Sequence, residues 1–160
     1  MSQTFTRLLL ATEHTEFDIG AENLAICMAQ RSHLPLTTVL PLVSNPEYEA
    51  MAPEIAMRAE HQAADKIAKL RATAQTKGVT IDLHVRRGEE PYQEIVDEAR
   101  AQNSELIILR RRGKRSFLAN LLVGEMVSKV LAHAPVCGAS VCLWPQNPAH
   151  VACAWSKRLA

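Results

Sequence analysis

An open α/β sheet with helices on both faces is the fold this sequence predicts, and three observations carry it. Two short runs, Leu8-Leu9-Leu10-Ala11 and Leu106-Ile107-Ile108-Leu109, are apolar without a break, as in strands buried on both faces. Residues 79–86 instead alternate Val79, Ile81, Leu83 and Val85 with Thr80, Asp82, His84 and Arg86, and that period of two marks a half-exposed edge strand. Strand-like and helix-like stretches then alternate along the chain with short connections, which argues for a parallel sheet covered on both sides.

The elements follow in order. After the strand at residues 8–11, Thr15 offers an N-cap with Asp18 three residues on, the spacing of a capping box. Ala21, Leu24, Ala25 and Met28 continue at helical spacing. Residues 36–43, rich in β-formers, make a second strand with Pro41 near its end, and residues 44–52, containing Asn45-Pro46, read as a loop. Pro53 suits the first turn of a long helix with the stripe Ala56, Ala59, Ala63, Ile67, Leu70 and Ala74, and Gly78 suits its C′ position. Beyond the edge strand, Gly88 and Pro91 open a helix that turns Tyr92, Ile95, Val96 and Ala99 inward. The central strand at 106–109 leads through a basic loop to a short helix, residues 125–134, which Pro135 stops. Val141-Cys142-Leu143-Trp144 is the last strand, so residues 1–145 form one domain and residues 146–160 a C-terminal tail.

Composition narrows the function. The chain has 160 residues, 48% of them hydrophobic and 22% charged, which suits one domain with a sizeable core. A formal net charge of +1 gives no general affinity for nucleic acid or membrane, so electrostatic recognition is local. No apolar run approaches the roughly 20 residues of a membrane-spanning helix, and residues 5–10 lack the pattern of a signal peptide; a cytoplasmic location is expected. Cys27, Cys137, Cys142 and Cys153 and the six histidines are scattered without metal-ligand spacing, so the cysteines read as reduced structural thiols. His14 beside Glu13 reads as a polar turn residue, His133 as a helix-end residue and His84 as an exposed edge-strand residue. No Walker A sequence, Gly-x-Ser-x-Gly or dinucleotide fingerprint occurs.

Three collinear segments resemble the universal stress protein family. They are Leu9-Leu10-Ala11-Thr12-Glu13, Gly88-Glu89-Glu90-Pro91 with the strand at 106–108, and the stretch from Gly113 through Ser116, Leu121 and Gly124 to Val127, Val130, His133 and Pro135. The match spans roughly residues 5 to 145. It implies a doubly wound, five-stranded parallel sheet of order 3-2-1-4-5. It also implies a nucleotide site, for ATP or AMP, against Ala11, Thr12, Glu13, Leu40, Arg110, Gly113, Gly124, Glu125, Met126 and Val127. Nucleotide-binding members carry Gly-x-x-Gly, nine residues, then Gly-Ser or Gly-Thr, so that bare backbone and a helix start can cradle phosphates. Here Arg110 stands at the first glycine, ten residues separate Gly113 from Gly124, Glu125 replaces the hydroxyl residue and Glu13 the early aspartate.

Two features of that site pull in opposite directions. A carboxylate at Glu125 repels phosphate and fills the helix start itself. Arg111, Arg112, Lys114 and Arg115 could clamp an anion, or form a solvated loop neutralised by Glu125 and Glu105. The expectation is a stress-response protein that acts by binding rather than catalysis, with nucleotide binding weakened or lost. The alternatives are an ATP- or AMP-binding member with slow hydrolysis at most, and an adaptor using its tail. The partners expected are a second copy, joined through Val141, Cys142, Leu143 and Trp144 on an apolar edge, and a further protein; nucleic acid is not expected, because no aromatic residues interleave the basic ones.

Overall fold

A computed structural model describes residues 5–110, 125–134, 140–144 and 152–154. Along the chain these form β1 (Leu8–Ala11), α1 (Ile19–Ser32), β2 (Leu36–Val43), α2 (Pro46–Met51), α3 (Pro53–Thr76), β3 (Ile81–Gly88), α4 (Pro91–Ala101), β4 (Leu106–Arg110), α5 (Glu125–His133), β5 (Ser140–Trp144) and β6 (Ala152–Ala154). The sheet runs β3-β2-β1-β4-β5-β6. Neighbours from β3 to β5 pair in parallel, and β6 pairs antiparallel to β5.

Side-chain alternation in the central strands builds one core on each face. Leu8, Leu10, Leu106 and Ile108 pack against Ala21, Ala25, Ile26 and Ala29 of α1, with Leu36 and Ala74 of α3. Leu9, Ala11, Ile107 and Leu109 pack on the other face against Ile95, Val96 and Ala99 of α4 and Val127 and Val130 of α5. The continuous apolar runs are thus explained: both faces of β1 and β4 are dry. β3 pairs with β2 alone and is the edge that its alternation predicts.

Three expectations are corrected. The sheet is not five-stranded and wholly parallel, because residues 152–154, inside the segment read as a tail, add an antiparallel strand. Consequently β5 is not the edge; its outer side is occupied by β6. The segment at 44–52 is not all loop either. Asn45 Oδ1 accepts from the backbone N–H of Glu47 at 2.9 Å and of Tyr48 at 3.3 Å, and with Pro46 in the first turn this starts the short helix α2.

The start of α1 also lies three residues later than the capping box suggests. Thr15 to Asp18 form a turn, closed by the Asp18 N–H on the Thr15 carbonyl at 3.0 Å, and Asp18 is the residue that precedes the helix. At the far end of α3, Gly78 has φ +70°, and its N–H bonds the Gln75 carbonyl at 3.0 Å, as a left-handed C′ residue requires. A Cβ there would meet nothing within 4 Å, so Gly78→Ala tests conformation alone. It should lower stability by about 1 kcal/mol in urea denaturation with an unchanged m-value.

Candidate functional site

β1 and β4 lie side by side while their onward connections run to opposite edges, which creates a crevice at their carboxyl ends, the usual ligand position in such sheets. Arg110 stands at the β4 side of that crevice. It is the last residue of β4 and shares the face of Leu106 and Ile108, the face that packs on α1. The strand therefore delivers its guanidinium to the start of α1. Nη1 donates to Thr15 Oγ1 at 2.9 Å and to Asp18 Oδ2 at 3.2 Å, and Nη2 pairs with the Glu13 carboxylate. Asp18 Oδ2 accepts further bonds from the Thr15 N–H at 2.9 Å and the Thr15 hydroxyl at 2.7 Å. With a side chain only 2% exposed, Asp18 is a buried carboxylate, and these donors are what make it tolerable there.

A second polar knot fixes the same turn. Glu22 projects from α1 into the core-facing side, and its Oε1 accepts from the Thr12 hydroxyl at 2.6 Å and from His14 Nδ1 at 2.9 Å. The His14 N–H in turn bonds Thr12 Oγ1 at 2.9 Å, and His14 sits in the left-handed region with φ 51°. Sequence inspection missed Glu22, although its spacing from Asp18, Ala25 and Ala29 puts it on the inward stripe. Both threonine hydroxyls of the turn are engaged, so this arrangement rigidifies the crevice rather than presenting a nucleophile.

The remaining expected residues are dispersed. Leu40 is buried in β2, Val127 belongs to the core, and Met126 packs partly buried against it. Glu125 opens α5 but does not hold its carboxylate in the helix start. Its side chain is 84% exposed and is drawn to Lys129, one turn on, at 3.1 Å; Lys129 also reaches Glu90 at 3.5 Å. The hydrogen bond with Glu125 chiefly, with the charges of both glutamates, raises the Lys129 pKa. Glu105 has partners of its own. It lies at the opposite end of β4, where it accepts from the Thr6 N–H at 2.7 Å and pairs with Arg7 at 3.2 Å. Arg111, Arg112, Gly113, Lys114, Arg115, Gly124 and Cys137 lie outside the described residues. Val141, Cys142, Leu143 and Trp144 belong to β5, which pairs in parallel with β4 and brings Trp144 into register with Arg110. Among the described residues no group of three His, Cys, Asp or Glu is placed to hold a metal ion.

His84 is not a free edge residue. Its Nδ1 lies 2.5 Å from Glu98 Oε1 and its Nε2 3.3 Å from Asp82, while Arg86 and Gln102 also donate to Glu98, a carboxylate 2% exposed on α4. The Glu98 hydrogen bond raises the His84 pKa above the ordinary 6.5, against an opposing push from burial. For Glu98, burial pushes upward but the bonds from Arg86, His84 and Gln102 outweigh it, and its pKa falls below 4.5.

The sign of each shift sets a pH window. A raised histidine pKa adds stability below its unfolded value, and this is lost as pH rises through the folded pKa; a lowered carboxylate pKa adds stability above its unfolded value, lost as pH falls through the folded one. The stability difference between wild type and His84→Gln, followed by urea denaturation across pH, should peak on the acidic side of neutrality and shrink above the raised His84 pKa. At the crevice, Arg110→Ala should cost about 2–3 kcal/mol by the same measurement, somewhat less than a fully broken buried pair because the Thr15 bonds to Asp18 survive. Glu13→Gln, at a side chain 38% exposed, should cost less than about 1 kcal/mol.

Comparison with known proteins bears on this geometry. Universal stress protein UspA from Lactobacillus plantarum superposes with a TM-score of 0.75 at 21% identity, covering 90% of this chain and all (100%) of that one. A universal stress protein solved in complex with cAMP gives 0.68 at 15% identity, covering 91% and 100%. The universal stress protein from Archaeoglobus fulgidus in complex with dAMP gives 0.63 at 14% identity, covering 89% and 100%. No curated protein matches the sequence. The model of the universal stress protein family matches residues 4–137, most of the chain, and the protein belongs to that family.

Proposed function

We propose that this universal stress protein is a cytoplasmic stress-response protein that works by binding, and that its ATP-type phosphate site is closed by its own Arg110. The observation that carries the reading is the bridge from Arg110 to Glu13, Asp18 and Thr15 across the mouth of the β1–β4 crevice. A glycine at this position would leave bare backbone for a phosphate to approach. Arginine instead occupies the space and spends its charge on two carboxylates of its own chain. An incoming polyphosphate must compete with a buried aspartate for the same guanidinium and would meet Glu13 beside it.

A second reading keeps a nucleotide. Two structural neighbours are described as complexes with cAMP and dAMP, adenine nucleotides with a single phosphate group. AMP needs fewer phosphate contacts than ATP, and Arg111, Arg112, Lys114 and Arg115 follow Arg110 directly in sequence. The first reading is favoured because the contacts of Arg110 are satisfied without any ligand. Self-association is part of the proposal as well. With β6 covering β5, a second copy would join at the β6 end of the sheet, and sedimentation at micromolar concentration should show a dimer; a monomer would remove this part.

Calorimetry on the purified protein at physiological salt should give no saturable ATP or AMP binding below the millimolar range. Arg110→Gly combined with Glu13→Gln, which reopens the backbone and removes the carboxylate beside it, should bind ATP at least about tenfold more tightly, a gain of about 1.4 kcal/mol. Micromolar binding of either nucleotide by the unmodified protein would overturn the closed-site reading.

A further inference from the structure

The outermost strand is weak by its residue types. β6 consists of Ala152, Cys153 and Ala154, and among the described residues it pairs with β5 alone. Alanine is a poor strand former and has little apolar area to bury, so two alanines contribute little to holding β6 in place. The third residue offers something else. The antiparallel register sets Val141 opposite Ala154, Cys142 opposite Cys153 and Leu143 opposite Ala152, so the middle position of each strand is a cysteine.

That juxtaposition meets the backbone requirement of a disulfide. Residues directly opposed in an antiparallel pair share one face of the sheet, with Cα atoms about 4.5 or 5.5 Å apart according to the hydrogen-bonding pattern. Both separations fall within the range of roughly 4.4–6.8 Å that a disulfide spans. A slip of one residue would set Cys142 against an alanine, so the pairing belongs to this register. The two cysteines are also only eleven positions apart in the chain, and a short loop costs less to close than a long one. Cys27, by contrast, lies on α1, in the layer that packs on one face of the sheet.

We infer that Cys142 and Cys153 are a redox-responsive pair, oxidised by a low-molecular-weight disulfide of the glutathione type to a disulfide that fastens β6 to β5. One cysteine thiolate attacks a sulfur of the small disulfide, breaking its S–S bond, forming a mixed disulfide and releasing one small thiolate. The second cysteine thiolate then attacks the protein sulfur of the mixed disulfide and expels the other. Two protein S–H bonds give way to one S–S bond, and the two protons and two electrons end on the two small thiols. In a reducing compartment the pair rests as thiols and closes only when the oxidant rises. β5 has β4 on its other side, so closure fixes whether the outer side of β5 stays covered.

The test begins with the reduced full chain, equilibrated over a range of ratios of oxidised to reduced glutathione and quenched by alkylation. Chymotrypsin, which cuts after Leu143, separates Cys142 from Cys153 for mass spectrometry. A Cys142–Cys153 linkage, two hydrogens lighter than the reduced pair, should rise with the ratio, be independent of protein concentration and vanish with dithiothreitol. The double variant Cys27→Ser with Cys137→Ser should keep it, and Cys142→Ser should lose it. Hydrogen exchange across residues 140–144 should slow at least about tenfold on oxidation of the wild type, and stay unchanged in Cys153→Ser. A stable glutathione adduct, a linkage through Cys27 or Cys137, a linkage between chains, or no linkage would each overturn the proposal. So would a Cys142–Cys153 linkage that leaves exchange across residues 140–144 unaltered, since it would not hold β6 on β5.

Discussion

The guanidinium of Arg110 ties the end of β4 to the turn that begins α1, joining residues 92 to 97 positions apart in the chain. Much of the crevice geometry depends on this contact. Asp18 can be buried only because Arg110 and Thr15 supply donors, and the turn from Thr15 to Asp18 holds its shape because Asp18 bonds back to Thr15. A lone carboxylate in that position would cost several kcal/mol or take up a proton. With β1 and β4 bonded along their length, the ion pair sets the two strand ends and the helix start in one arrangement.

The same constraint governs what the crevice can accept. A phosphate-binding helix start keeps its backbone N–H groups and nearby cations uncommitted, so that the ligand completes the electrostatics. Here the Arg110 guanidinium is already paired within the chain, with Glu13 and Asp18. Glu22 adds to this by engaging the Thr12 hydroxyl and the His14 imidazole of the same connection. Two carboxylates four residues apart, Asp18 just before α1 and Glu22 in its first turn, thus hold successive parts of the β1–α1 connection. Their spacing follows the helical repeat, which explains why one short helix face can serve the whole turn.

Much of the sheet was legible in the sequence because its signals are local. Unbroken apolar runs identify β1 and β4, alternation identifies β3 as an edge, and Gly78 identifies the end of α3. The site was less legible because it depends on contacts between distant residues. Arg110 was visible as a departure from a glycine pattern, but its partners Asp18 and Thr15 were read only as a helix cap. Glu98 was invisible for the same reason: a glutamate on a helix looks solvated until His84 and Arg86, on a different strand, are known to face it. The strand at 152–154 was missed because three residues are too few for a period to register. α2 was missed although Asn45-Pro46 carried both a cap and an N1 proline, since six residues form no apolar stripe.

The two ends of α3 differ in how closely they pack on the sheet. Near Ala74 the helix lies on the α1-side core and closes with a left-handed glycine, while near Pro53 its alanines stand over a space they do not fill. Replacing those alanines with leucines would be the direct way to complete a core, and the chain instead places its large side chains, Tyr48 and Ile55, at the margin of that space. A helix anchored at one end can leave its other end underpacked because α1, α4 and α5 already cover the central strands. The firm side of the molecule surrounds the Arg110 bridge, and the open side faces β2 and β3.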